Sequence, residues 1–97
     1  MTTISRFDAS EFLDDDDLVA EYLTAAMEDD NPDVFIAALG DVAKARGMTE
    51  IAKASGLGRE SLYKSLRGGS KARFETLHKI VNTLGLKMTI VADRAPS

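Results

Sequence analysis

The sequence predicts a mainly α fold, five helices organised around a helix-turn-helix, with one short β-strand at the C-terminal end. Three observations carry this. Apolar residues recur at helical spacing through five separate segments. Two short helical segments within residues 49–67 are joined by Gly56-Leu57-Gly58, the form of a tight turn between paired helices. After Gly85 the apolar period switches from helical to alternating. A chain of 97 residues without Cys is one domain's worth of sequence, long enough to bury a core without disulfides.

The elements follow in order. Phe7-Asp8-Ala9-Ser10-Glu11-Phe12 carries a capping-box pattern with Phe7 and Phe12 spaced as a staple, which predicts at most one helical turn. The first full helix is expected over about residues 17–29, with Leu18, Tyr22, Leu23, Ala26 and Met27 at helical spacing. Asn31-Pro32-Asp33 restarts the chain as N-cap, first helical position and first-turn acid. The second helix then runs to about Arg46, burying Phe35, Ala38, Leu39, Val42 and Ala43, and stops at Gly47. A third helix is expected over residues 48–55 with Thr49 as N-cap, and a fourth over 59–67 anchored by Leu62 and Leu66. A fifth is expected over 72–84 from Phe74, Leu77, Ile80, Val81 and Leu84 at helical spacing, and ends at Gly85. Residues 86–93 read as a strand with Leu86, Met88, Ile90 and Ala92 on one face. A lone strand leaves its backbone groups unpaired. The expected partner is the same strand of a second subunit, antiparallel across a two-fold axis, so the chain is expected to be a homodimer. Residues 94–97 are expected to be a disordered tail.

The net charge of -4 hides a split by position. Residues 1–33 hold one base, Arg6, against eleven acids, a net −10. Residues 34–97 hold eleven bases against five acids, a net +6. Such asymmetry is the composition signal for an interaction arm joined to a basic binding region. Residues 1–17 are expected to be an acidic, partly flexible arm, and residues 18–85 the helical body. Asp14-Asp15-Asp16-Asp17 exceeds what a helix N-terminus needs from its dipole.

The helix pair at 49–67 carries the chemistry. Ala52 is small where two helices cross, Gly56 permits the positive φ that leaves the third helix, and Leu57 plugs the turn. Leu62 and Leu66 face inward, so Arg59, Glu60, Ser61, Tyr63, Lys64 and Arg67 face outward. These are the residue types that major-groove reading uses: Arg and Lys donate to guanine, Glu accepts from cytosine, and Ser serves either. Arg59, Glu60, Ser61 and Lys64 are the expected base readers, because the start of a recognition helix points at base edges. Thr49, Lys53, Tyr63, Arg67, Ser70, Lys71 and Arg73, with Lys44 and Arg46, are the expected phosphate contacts. Tyr63 has two readings, a phosphate contact or a cover over Leu66.

The run from Gly47 to Leu66 resembles the Cro/repressor-type (Xre-like) helix-turn-helix. More narrowly, Phe7-Asp8-Ala9, Tyr22-Leu23, residues 37–43, Arg59-Glu60-Ser61-Leu62-Tyr63-Lys64 and Leu84-Gly85-Leu86 are similar to the HigA-like antitoxins, the probable addiction-module antidotes. Gly68-Gly69-Ser70-Lys71-Ala72 departs from many relatives in having no Pro. The resemblance implies a lambda-repressor-like domain, a dimer that represses its own operon by binding double-stranded operator DNA, and neutralisation of a basic RelE/ParE-type toxin. The acidic N-terminal third complements such a toxin. Phe7, Asp8, Phe12, Asp14, Asp15, Asp16 and Asp17 are therefore the expected toxin contacts. The other reading of these acids is a solubilising, protease-prone arm.

Other functions have little support in the residues. His78 is the only His and sits at helical spacing with no nucleophile–base set around it, so no enzyme is expected. The Asp run lacks the alternating loop of a calcium site; no metal and no cofactor are expected. No apolar run approaches the about 18 residues of a membrane span, and no signal peptide is legible, so a cytoplasmic protein is expected. The rivals are a stand-alone or phage-type repressor without a toxin, and an adaptor whose basic face binds an acidic protein.

Overall fold

A computed structural model describes residues 15–67 and 71–93 of the chain. The Phe7–Phe12 turn, the Asp14 end of the acidic arm, Gly68-Gly69-Ser70 and the 94–97 tail lie outside the described residues. Among those described there are five helices: α1 (Asp16–Met27), α2 (Pro32–Arg46), α3 (Met48–Ser55), α4 (Arg59–Ser65) and α5 (Phe74–Thr83). α1 packs on α2, α2 on α3, and α3 on both α4 and α5.

Each boundary has a local cause. Asp15 caps α1, its carboxylate accepting from the backbone N–H of Asp17 at 3.0 Å and Leu18 at 3.2 Å. Helix α1 thus begins inside the acidic run, with Asp16 and Asp17 in its first turn. Asn31 caps α2 by accepting from the Asp33 N–H at 2.9 Å, and Pro32 occupies the first turn. Gly47, at φ 118, ends α2 and is also the N-cap of α3. The Thr49 cap expected from the sequence is therefore not formed: the helix starts at Met48, and Thr49 lies inside its first turn.

α2 is the central helix. Phe35, Ile36, Ala38, Leu39, Gly40, Val42 and Ala43 are all buried on it. Of these, Phe35, Ala38, Leu39, Val42 and Ala43 share one core cluster with Val19, Leu23 and Ala26 of α1, Ile51 and Ala52 of α3, Leu62 and Leu66 at α4, and Ile80, Val81 and Leu84 at α5. Gly40 marks a close approach: a Cβ there would sit 3.3 Å from the Leu66 carbonyl oxygen, so a side chain would require that neighbour to give by a few tenths of an ångström. Of α1's apolar residues, Val19, Leu23 and Ala26 are buried, while Leu18 and Met27, at helical spacing in the sequence, are exposed. Tyr22 is half-buried and its hydroxyl donates to Asp41 of α2 at 3.5 Å. Burial first, then the Asp41 charge and this hydrogen bond, raise the Tyr22 pKa above the ordinary tyrosine value. Phe74, on the helical stripe of α5, is 67% exposed and stacks on His78 at a centroid distance of 5.6 Å.

The C-terminal strand is the main correction. Among the described residues there is no β-strand; residues 86–93 are irregular. The physical cause lies at the end of α5. Gly85 adopts φ 84, its N–H donates to Asn82, and the Leu86 N–H donates to Val81 at 3.2 Å. This pair of bonds is a Schellman stop, and it uses the first residue of the expected strand as a helix cap. Leu86 and Met88 then pack on the core, while Ile90 is 98% exposed and Ala92 is exposed. The four residues expected on one face therefore divide into two inward and two outward, and pairing across a dimer has no formed strand to rest on.

Candidate nucleic-acid interface

The turn between α3 and α4 is held by short-range bonds. Gly56 sits in the left-handed region at φ 79, with its N–H donating to Ala52 at 3.1 Å. The Ser55 hydroxyl donates to the Ala52 carbonyl and accepts from the Leu57 N–H, both at 3.3 Å. Leu57 is half-buried beneath the turn. Gly58 is extended and serves as N-cap of α4. Leu62 is fully buried and Leu66 nearly so, which pins the inner face of α4 against the body.

The outer face follows. Arg59, Glu60, Ser61, Tyr63, Lys64 and Arg67 are all exposed. An open groove of about 780 Å³ runs along one side of α4 and is lined by Lys44, Met48, Arg59, Glu60, Tyr63, Lys64, Leu66 and Arg67. A second, on the other side, is lined by Leu57, Ser61, Lys64, Ser65, Lys71, Ala72, Arg73 and Thr76. Lys64 borders both. The first groove carries four cations against Glu60, and the second carries three with no acid.

Within the first groove Arg59 lies on Tyr63. Its guanidinium carbon is 5.5 Å from the ring centroid, and its NH2 donates to the Tyr63 hydroxyl at 3.3 Å.

The fold thus gathers ten of the residues singled out in the sequence along the flanks of one short helix: the base-reading set Arg59, Glu60, Ser61 and Lys64, together with Lys44, Tyr63, Arg67, Lys71 and Arg73 and the turn residue Leu57. Thr49 and Lys53 are exposed on α3 but line neither groove. Arg46 sits on the α1 side, 3.8 Å from Asp16. Ser70 lies outside the described residues. Thr76, in the first turn of α5, lines the second groove and was missed: nothing in its helical spacing distinguishes it from a solvated Thr. Of the acidic set, Phe7, Asp8, Phe12 and Asp14 lie outside the described residues. Asp15 is engaged as a cap, Asp16 faces Arg46, and Asp17 is exposed in the first turn of α1.

This surface offers hydrogen-bond donors on a protruding helix, with cations on both flanks. A B-DNA major groove, about 12 Å wide, admits a helix. No helix of the described residues is long and apolar enough to cross a membrane.

Residues 3–92 match the family described as probable addiction module antidote protein. A relative from Haemophilus influenzae, described as an uncharacterized protein, is 36% identical over 91 residues, which cover 94% of each chain. No solved structure matches. The family description names the antidote half of an addiction module, which implies a toxin partner. With nearly its whole length matched, the chain belongs to the probable addiction module antidote proteins.

Proposed function

We propose that this antidote is a sequence-specific DNA-binding autorepressor that also neutralises a basic RelE/ParE-type toxin in a type II module. The observation that carries the DNA half is α4. Its inner face is locked by Leu62, and its outer face presents Arg59, Glu60, Ser61 and Lys64 between two cationic grooves. In this reading α4 enters the major groove. Arg59, Glu60, Ser61 and Lys64 meet base edges, while Lys44, Arg67, Lys71 and Arg73 meet phosphates.

The protein acts as a homodimer in this account, and a two-fold dimer presenting two recognition helices calls for an operator of inverted half-sites about one helical turn apart. In this reading the seam lies along the outer part of the 86–93 segment, which the exposure of the apolar Ile90 and Val91 supports. The toxin half rests on charge. Residues 15–33 hold eight acids and no base, which suits a basic partner and keeps this face away from DNA.

The test is binding to duplexes selected in vitro from a random pool, with a salt titration. Enrichment of an inverted repeat and a steep salt dependence support the reading. Failure to enrich any sequence sinks it. Co-purification with the product of the neighbouring gene separates an antitoxin from a stand-alone repressor.

A further inference from the structure

Arg59 and Tyr63 are four residues apart on α4 and share one stripe of the helix. Two independent contacts join them: the guanidinium lies over the Tyr63 ring at 5.5 Å, and its NH2 donates to the Tyr63 hydroxyl at 3.3 Å. Among the described residues no ion pair joins Arg59 to Glu60, the acid in the same groove. Tyr63 itself is 44% exposed.

The geometry points to Tyr63 as the positioning residue that sets Arg59 for base reading, and not as a phosphate contact in its own right. This rests on the DNA-reading role proposed above. An arginine on an open helix face samples many rotamers, and ordering them on binding costs affinity. Holding the guanidinium at two points before DNA arrives removes part of that cost. Arginine has five N–H donors, and the tyrosine hydroxyl takes one. The remainder are enough for the bidentate pair with guanine O6 and N7. Tyr63 therefore fixes where Arg59 points without consuming its capacity to read.

The experiment is a double-mutant cycle of Tyr63→Leu and Arg59→Ala on the full chain. The probes are the duplex most enriched from a random pool and a scrambled duplex of equal length. Tyr63→Leu is expected to weaken binding to the enriched duplex about two- to fivefold, with scrambled-duplex binding and salt slope unchanged. In the Arg59→Ala background the same substitution should have no further effect. Tyr63→Phe, which keeps the ring, should fall between wild type and Tyr63→Leu. A Tyr63→Leu loss that persists without Arg59 and is equal on the enriched and the scrambled duplex makes Tyr63 a phosphate contact and overturns the proposal; so does no loss at all. A DNA-free measurement separates the clamp from the reading. The Arg59 side-chain protons should show a ring-current shift by NMR that Tyr63→Leu abolishes. If that shift is present but wild-type chain enriches no sequence, the DNA-reading role fails while the contact stands, and the positioning role falls with it. If the shift is absent, the clamp itself is wrong. Thermal melts of each variant check that these exposed substitutions leave the fold intact.

Discussion

Arg59 is the side chain whose chemistry is most specific on the exposed face of α4. Replacing it with Ala should cost about 1–3 kcal/mol of discrimination at one base pair of the operator. Competition binding against a set of single-base variants measures this, and an equal loss on specific and random DNA would make Arg59 a phosphate contact instead. Tyr22 gives a second residue-level test, in stability rather than binding. Burial and then Asp41 disfavour its ionised form in the folded chain, so its folded pKa is raised. The folded chain then keeps this proton longer than the unfolded one. The stabilisation is complete below the ordinary tyrosine value near 10 and is lost as the pH climbs through the folded value. Thermal melts should therefore fall more steeply above pH 10 in the wild type than in Tyr22→Phe.

At the scale of elements, the turn between α3 and α4 depends on one backbone conformation. Gly56 is at φ 79 with open space around its missing Cβ, so Gly56→Ala carries only backbone strain, about 1–2 kcal/mol. Leu62→Ala, which empties a fully buried site under the same helix, should cost about 2–5 kcal/mol. Urea denaturation of both variants checks the order; a larger loss at Gly56 would mean that the turn, not the core beneath it, anchors α4. This turn was legible in the sequence because a glycine pair around one Leu has few other uses, and the Asn31-Pro32 start of α2 was legible for the same kind of reason. The burial pattern of α1 was not. Leu18-Tyr22 and Val19-Leu23-Ala26 are both spaced as helical stripes, and only the placement of α2 decides which is covered. Gly40 gave no local signal either, since its role is an approach to Leu66, distant in sequence. The C-terminal strand failed because alternation alone cannot register that Leu86 closes the α5 cap. The outward-facing positions of α4 needed only the period of the helix and two inward leucines to be placed on the surface.

The molecule as a whole separates charge by sign. Acids crowd α1 and the start of α2, while the cations gather about α4 and the approach to α5. One small chain can then present a face to a basic protein and another to a polyanion without either repelling its own partner. The net charge of -4 argues against DNA binding only if position is ignored. Assembly belongs to the same scale. Ile90→Lys places a charge on a fully exposed apolar position, and it should shift a dimer toward monomer in sedimentation if the seam lies there. An unchanged dimer mass would move the seam elsewhere. The central claim, that the exposed face of α4 reads DNA sequence, is tested most directly by measuring the affinity ratio between the enriched and the scrambled duplex for wild type and for Arg59→Ala/Lys64→Ala. The account predicts a large ratio for the wild type that collapses toward one in the double variant, with residual salt-dependent binding to both duplexes. A ratio that survives the double substitution would contradict it.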